Sequence, residues 1–152
     1  MFIADDSSFP FVVNTWGDVI SDEDLALRTA WQDEIVKRGQ SWVTLSDCRG
    51  LVRPDGDGRK RIAATMNRLN ARHGPQMLAT AFVFDSVLVA NALKAIRWMA
   101  PSPTKETYVA RDDDGFAWLK KQATHLDIVI PADADVLVRR LTEHGPQRRR
   151  DA

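Results

Sequence analysis

The stretch Met77-Leu78-Ala79-Thr80-Ala81-Phe82-Val83-Phe84 constrains the fold of this chain more than any other segment. It is a nearly continuous apolar run of strand length, bounded by Gly74-Pro75 before it and Asp85-Ser86 after it. A strand with one face in water alternates apolar and polar residues, whereas a continuous run needs cover on both faces. Helices on both sides of a sheet provide that cover, so the run points to a layered α/β domain. The rest of the chain must then supply further strands and the helices that flank them.

It does so by alternation. Phe11-Val12-Val13-Asn14-Thr15-Trp16 is rich in β-branched and aromatic residues and stops at Gly17, which reads as a strand. Phe2-Ile3-Ala4 is expected to pair with it as a short hairpin arm across Asp5-Asp6-Ser7-Ser8. Ser21 with Asp24 resembles a capping box, and Leu27, Ala30, Trp31 and Ile35 are expected on the buried face of the helix that follows, to Gly39. Trp42-Val43-Thr44-Leu45 is the next strand. A second helix buries Ile62, Ala63, Met66, Leu69 and Asn70 and closes at His73-Gly74-Pro75. Asp85-Ser86 caps a third helix to about Met99, ended by Pro101 and Pro103. Glu106-Thr107-Tyr108-Val109-Ala110 is a further strand, and Asp112-Asp113-Asp114 is read as the cap of a short helix over Phe116–Lys121. Asp127-Ile128-Val129-Ile130 is read as an added strand, and Pro131 as the start of a helix to His144 that Gly145-Pro146 ends. Arg148-Arg149-Arg150 is read as a disordered basic tail. The expected architecture is a mixed sheet of four to five strands layered with about four helices. Residues 1–124 form the domain, and 125–152 form a C-terminal extension with a helix at about 132–144.

This order resembles the SpoIIAA-like superfamily, which comprises the STAS domains of anti-sigma-factor antagonists and their relatives, grouped with the Sec14-type lipid-binding fold. Three places carry the resemblance: Phe11–Ser21 leading into the first helix, the strand end Leu45-Ser46-Asp47, and Asp114-Gly115-Phe116-Ala117-Trp118-Leu119 near the close. The resemblance implies partner switching in the cytoplasm of a bacterium, a regulatory or signalling role without catalysis. In a typical antagonist a Ser in a D-S-S-G sequence at the start of the second helix is phosphorylated. The matching stretch here is Pro54-Asp55-Gly56-Asp57-Gly58, and no Ser or Thr lies between Asp47 and Thr65. Asp55 and Asp57 put permanent charge where the phosphate would be, yet an Asp at a helix start is also an ordinary N-cap.

Composition excludes several classes of function. With 21 basic and 21 acidic residues in 152, no overall field draws the chain to nucleic acid, and no specific nucleic-acid partner is expected. The single Cys48 leaves no internal disulfide, which suits a reducing compartment. Met1–Asp6 lacks a basic, apolar leader, and Val87–Ala100 is too short and too charged to span a bilayer, so a cytoplasmic protein with no transmembrane segment is expected.

No catalytic group, cofactor or metal site is expected. Cys48 has a neighbouring Arg49 but no base, and reads as a buried thiol. His73, His125 and His144 lack metal-ligand spacing and sit at helix ends, where they cap carbonyls. Asp55-Gly56-Asp57-Gly58 continues as Arg59 where a calcium loop needs a further oxygen ligand. The Trp residues fall mainly at core-phase positions.

Two binding surfaces remain. Arg49, Arg53, Arg59, Lys60 and Arg61 crowd the start of the second helix, where the macrodipole disfavours cations, so an anion or an acidic protein partner is expected there beside Asp55 and Asp57. The third helix is apolar nearly all round. Val89, Ala92, Leu93 and Ile96 account for the buried stripe, which leaves Val87, Leu88, Trp98 and Met99 as an interface. A homodimer, another partner, or the C-terminal helix with Val136, Leu137, Val138 and Leu141 are the open covers, the last being favoured. The leading expectation is a protein-interaction domain. The alternative is a Sec14-like carrier of a small ligand or lipid under the third helix, against which Trp42, Phe82, Phe84 and Trp98 argue by filling the interior.

Overall fold

A computed structural model describes residues 1–144. The Gly145-Pro146 stop and the Arg148–Arg150 tail lie outside the described residues. The elements are β1 (Phe2–Asp5), β2 (Phe11–Trp16), α1 (Asp22–Ile35), β3 (Trp42–Asp47), α2 (Gly56–His73), β4 (Met77–Val83), α3 (Val87–Met99), β5 (Lys105–Val109), α4 (Asp112–His125) and α5 (Ala134–His144). A short 3-10 turn, Val36–Arg38, follows α1 and ends at Gly39 in the left-handed region (φ 66°).

The five strands lie in sequence order, with β1 antiparallel to β2 and every later pair parallel. A sheet that grows in one direction through right-handed crossovers places each crossover helix on the same face. Accordingly α1, α2 and α3 share one side, where Leu25, Ile62, Ala63, Ile96 and Ala100 pack together. On the other side α4 and α5 cover the sheet, with Phe116, Leu119, Leu137, Val138 and Leu141 against Phe11, Val13, Val43, Leu45, Ala79, Ala81 and Val83. The apolar run at β4 is thus buried between two helical layers, as its composition requires.

The caps at α1 and α3 match expectation: Ser21 and Asp24 form a reciprocal capping box, and Ser86 accepts from the Val89 amide. Other details differ. In α1 the buried positions are Leu25, Arg28, Gln32 and Ile35, a stripe at spacings of three and four, while Leu27 is exposed. The cap of α4 is Arg111; Asp112 is instead buried beneath it, and Asp113 and Asp114 complement the helix dipole from the surface. Asp127–Ile130 forms no strand. Asp127 turns into the left-handed region (φ 55°) and the Ile128 amide bonds the Ala123 carbonyl, so the backbone closes α4 and joins no ladder. Ile128 and Ile130 still pack onto the α4–α5 core.

Gly115 shows why the α4 layer lies so close. A Cβ there would meet Leu45 Cδ1 at 2.9 Å, Val109 Cγ2 at 3.2 Å and the Ala81 Cβ at 3.3 Å. The α5 helix packs in the same layer as α4 and therefore does not cover α3, contrary to the expected intrachain cover.

Candidate functional site

The carboxyl ends of the parallel strands gather the β2–α1, β3–α2 and β4–α3 loops. The Val52 amide bonds the Asp18 carbonyl at 2.6 Å, and the Gly50 amide donates to Asp85 Oδ1 at 3.3 Å, which ties the three loops together. Here the expected basic cluster divides. Arg49 is not a surface cation: Nε and Nη2 donate to Asp47 at 2.8 and 3.0 Å, and Nη2 reaches Asp112 Oδ1 at 3.0 Å. Burial works against its charge, but the two carboxylates outweigh that effect and raise its pKa. Burial also raises the Asp112 carboxyl, with Arg49 opposing, and Thr142 Oγ1 of α5 donates to it at 2.9 Å. The network joins β3, its loop, α4 and α5, a structural task that leaves Arg49 no charge for a partner.

Of the other cations, Arg53, Lys60 and Arg61 are exposed and Arg59 is half-buried. Lys60 lies 3.8 Å from Asp57, Arg61 lies 3.6 Å from Asp22, and Arg59 reaches the Pro54 carbonyl at 3.4 Å. Arg53 is exposed and has no ion-pair partner among the described residues. Asp55 is the N-cap of α2, its carboxylate accepting from the Gly58 amide at 2.6 Å, so its geometry is that of a cap.

The exposed side of α3 carries five apolar residues together with Asn91 and Lys94. Leu88, Asn91, Ala95 and Trp98 recur at helical spacing on its outer face, with Trp98 at 86%, Leu88 at 65% and Val87 at 76% exposure. Met99 is exposed at the helix end. The expectation that Trp98 fills the interior is overturned, since the inward stripe of α3 is Val89, Ala92 and Ile96. Val52, whose amide bonds the Asp18 carbonyl, is exposed on the β3–α2 loop.

Inside, the sheet face beneath α1–α3 is polar at its centre. Register places Thr44 beside Thr80 and Thr80 beside Glu106 in one row, and Asn14 beside Ser46 in the next. Ser46 Oγ donates to Asn14 Oδ1 at 2.6 Å. Above this floor a cavity of about 70 Å³ opens, roofed by Ile62, Met66, Leu93 and Ile96 and flanked by Arg28 of α1 and Arg97 of α3. Arg97 pairs with Glu106, which also accepts from the Tyr108 hydroxyl at 3.1 Å. Burial raises the Glu106 carboxyl, with Arg97 pulling the other way. Arg28 is 8% exposed; its one hydrogen bond among the described residues is a weak one, from Nη1 to Met66 Sδ at 2.9 Å. Burial, and the proximity of Arg97, push its pKa down to about 10. Trp42 and Phe84 do pack in the interior as expected, but the interior is not filled.

No protein-family model matches the chain, and no curated protein matches it. Among solved structures it is similar to an uncharacterized protein from the DUF3478 family with a SpoIIAA-like fold, from Shewanella loihica PV-4. The TM-score is 0.56 at 17% identity, over 78% of this chain and 92% of that one. This chain has a SpoIIAA-like fold.

The start of α2, Asp55-Gly56-Asp57-Gly58, carries no Ser or Thr. No helix among the described residues is long and apolar enough to cross a membrane, and no group of three or more His, Cys, Asp or Glu among them is placed to hold a metal ion. His73 pairs with Asp33 of α1, holding α2 to it, where a carbonyl cap was expected. Cys48 is buried and its thiol is pushed up to about 12 by burial, with Ser46 opposing.

Sequence reasoning missed the cavity residues. Their trace was present as a parity: Asn14, Thr44, Ser46 and Thr80 are polar, and all lie on the same side of the sheet.

Proposed function

We propose that this SpoIIAA-like domain works by protein contact, through an apolar face made by the outer side of α3 and the adjoining strand-end loop. The observation that carries the reading is the exposed set Val87, Leu88, Ala95, Trp98 and Met99 on α3, interspersed with Asn91 and Lys94, with no element of the described chain over it. Contiguous apolar surface of this kind on a stable domain marks an interaction site. Arg53 on the adjoining loop and Lys60 at the start of α2 are exposed cations, which suits an acidic partner, and an apolar centre with a polar rim is the usual anatomy of a contact surface. With Asp in place of a phosphorylatable Ser, the contact is constitutive.

The test is affinity purification from the host with the wild type beside the Leu88→Asp/Trp98→Asp variant. Both residues are exposed, so the variant keeps its fold, and the proposal expects its specific partner to be lost. Recovery of the same partners would reject the face. A homodimer is the other outcome, seen as a change in mass by light scattering.

The carrier reading has its own observation, the internal cavity. At about 70 Å³ it is less than half of the roughly 150 Å³ that accommodates benzene in an engineered protein cavity, so an acyl chain does not fit.

A further inference from the structure

The cavity under α1 and α3 holds an imbalance of charge. Arg97 is paired with Glu106, whereas Arg28 has no carboxylate within ion-pair distance among the described residues. Two cations and one anion leave a single positive charge among these largely buried side chains. A buried, unpaired charge is among the most unfavourable features a fold can retain. Thr44 Oγ1 and Thr80 Oγ1 on the floor are buried and have no hydrogen-bond partner, although nearly all buried polar groups have one. These groups converge on the same space from three sides.

We infer that the cavity binds a small aliphatic monocarboxylate, its carboxylate set against the Arg28 guanidinium above the threonine floor. The charge count selects a monoanion, because a dianion such as sulfate would leave an excess negative charge inside. A planar carboxylate suits the fork of a guanidinium. The roof of Ile62, Leu93 and Ile96 suits a short hydrocarbon tail. Volume limits it to about two carbons, since at ~30 Å³ for each water-sized group the available 70 Å³ or so holds little more than two such groups. This site lies inside the domain and is independent of the contact face on the outside of α3.

The experiment is calorimetric titration and thermal melting of the whole chain with sodium acetate, propionate and butyrate, against sodium chloride and sulfate at matched ionic strength. The wild type should show a saturable rise in melting temperature with at least one carboxylate and none with sulfate. Arg28→Met should bind at least tenfold more weakly while still melting cooperatively. If that variant does not fold, Leu93→Trp, which fills the space under the roof, replaces it, with at least a tenfold loss expected. An equal response to sulfate, no saturable response to any of the three carboxylates, or wild-type affinity in the folded variant would each overturn the inference.

Discussion

Arg28 and Arg49 are both largely buried arginines, and the account requires the same substitution to act on them with opposite signs. Burial and the nearby Arg97 bring Arg28 down to about 10, so it is still charged at neutral pH. At about 1.4 kcal/mol per pH unit, that displacement corresponds to a penalty of order 3 kcal/mol on the charged form in the fold. Methionine keeps the apolar stem of the side chain and removes the charge. Replacing buried ionic groups by apolar residues of similar volume is neutral or stabilising by about 1–4 kcal/mol. Arg28→Met is therefore expected to stabilise the ligand-free protein by about 1–3 kcal/mol. Arg49→Met strips the partner from Asp47 and Asp112, both buried, and breaking a buried pair in this way costs about 3–5 kcal/mol. For a chain of this length 1 kcal/mol moves the melting temperature by about 2–4 °C, so the two variants should separate clearly on either side of the wild type. Urea unfolding with an unchanged slope gives the free energies directly. A loss of more than about 1 kcal/mol in Arg28→Met would refute the claim that this cation lacks a counter-charge.

Three further outcomes are expected. Cys48, buried with its thiol near 12, should resist a disulfide reagent at pH 8 in the native protein and react at once in denaturant; fast native reaction would contradict its placement. Burial holds Glu106 above its ordinary 4.5, so the folded state binds that proton more tightly than the unfolded chain. Its contribution to stability therefore falls as pH rises from 4.5 through the folded-state titration, and Glu106→Gln should flatten that part of the stability–pH curve; an unchanged slope would show the effect lies elsewhere. Gly115→Val forces side-chain atoms into Leu45, Val109 and Ala81 and should destabilise by about 1–3 kcal/mol in urea; wild-type stability would mean α4 stands further off the sheet.

The layered architecture was legible because it is written in local patterns. Continuous apolar strands, capped helices and Gly or Pro breaks alternate along the chain, and the sheet follows in sequence order. What local pattern lacks is the side of the sheet on which an element lands. The α5 helix has the apolar residues to cover α3, yet it packs with α4 on the opposite face. Apolarity likewise does not state exposure. Trp98 and Trp42 look equally interior in sequence, and one is exposed while the other is fully buried. The α1 stripe was misphased because Arg28 and Gln32 were not credited as inward residues, although Leu25, Arg28, Gln32 and Ile35 have the spacing of one helix face. Arg49 looked like surface charge because its counter-ion, Asp112, is distant in sequence. Charges that sit inside are read as surface by any rule that equates polarity with solvent, and both arginine environments were hidden for that reason.

The claim that α3 is a contact face is tested most directly by a photo-crosslinking amino acid placed at position 98, irradiated in the living host. Position 121, exposed on α4 across the sheet, is the control. The account predicts a discrete protein adduct from position 98 and none from position 121. Equal labelling at both, or no adduct at 98, would contradict it.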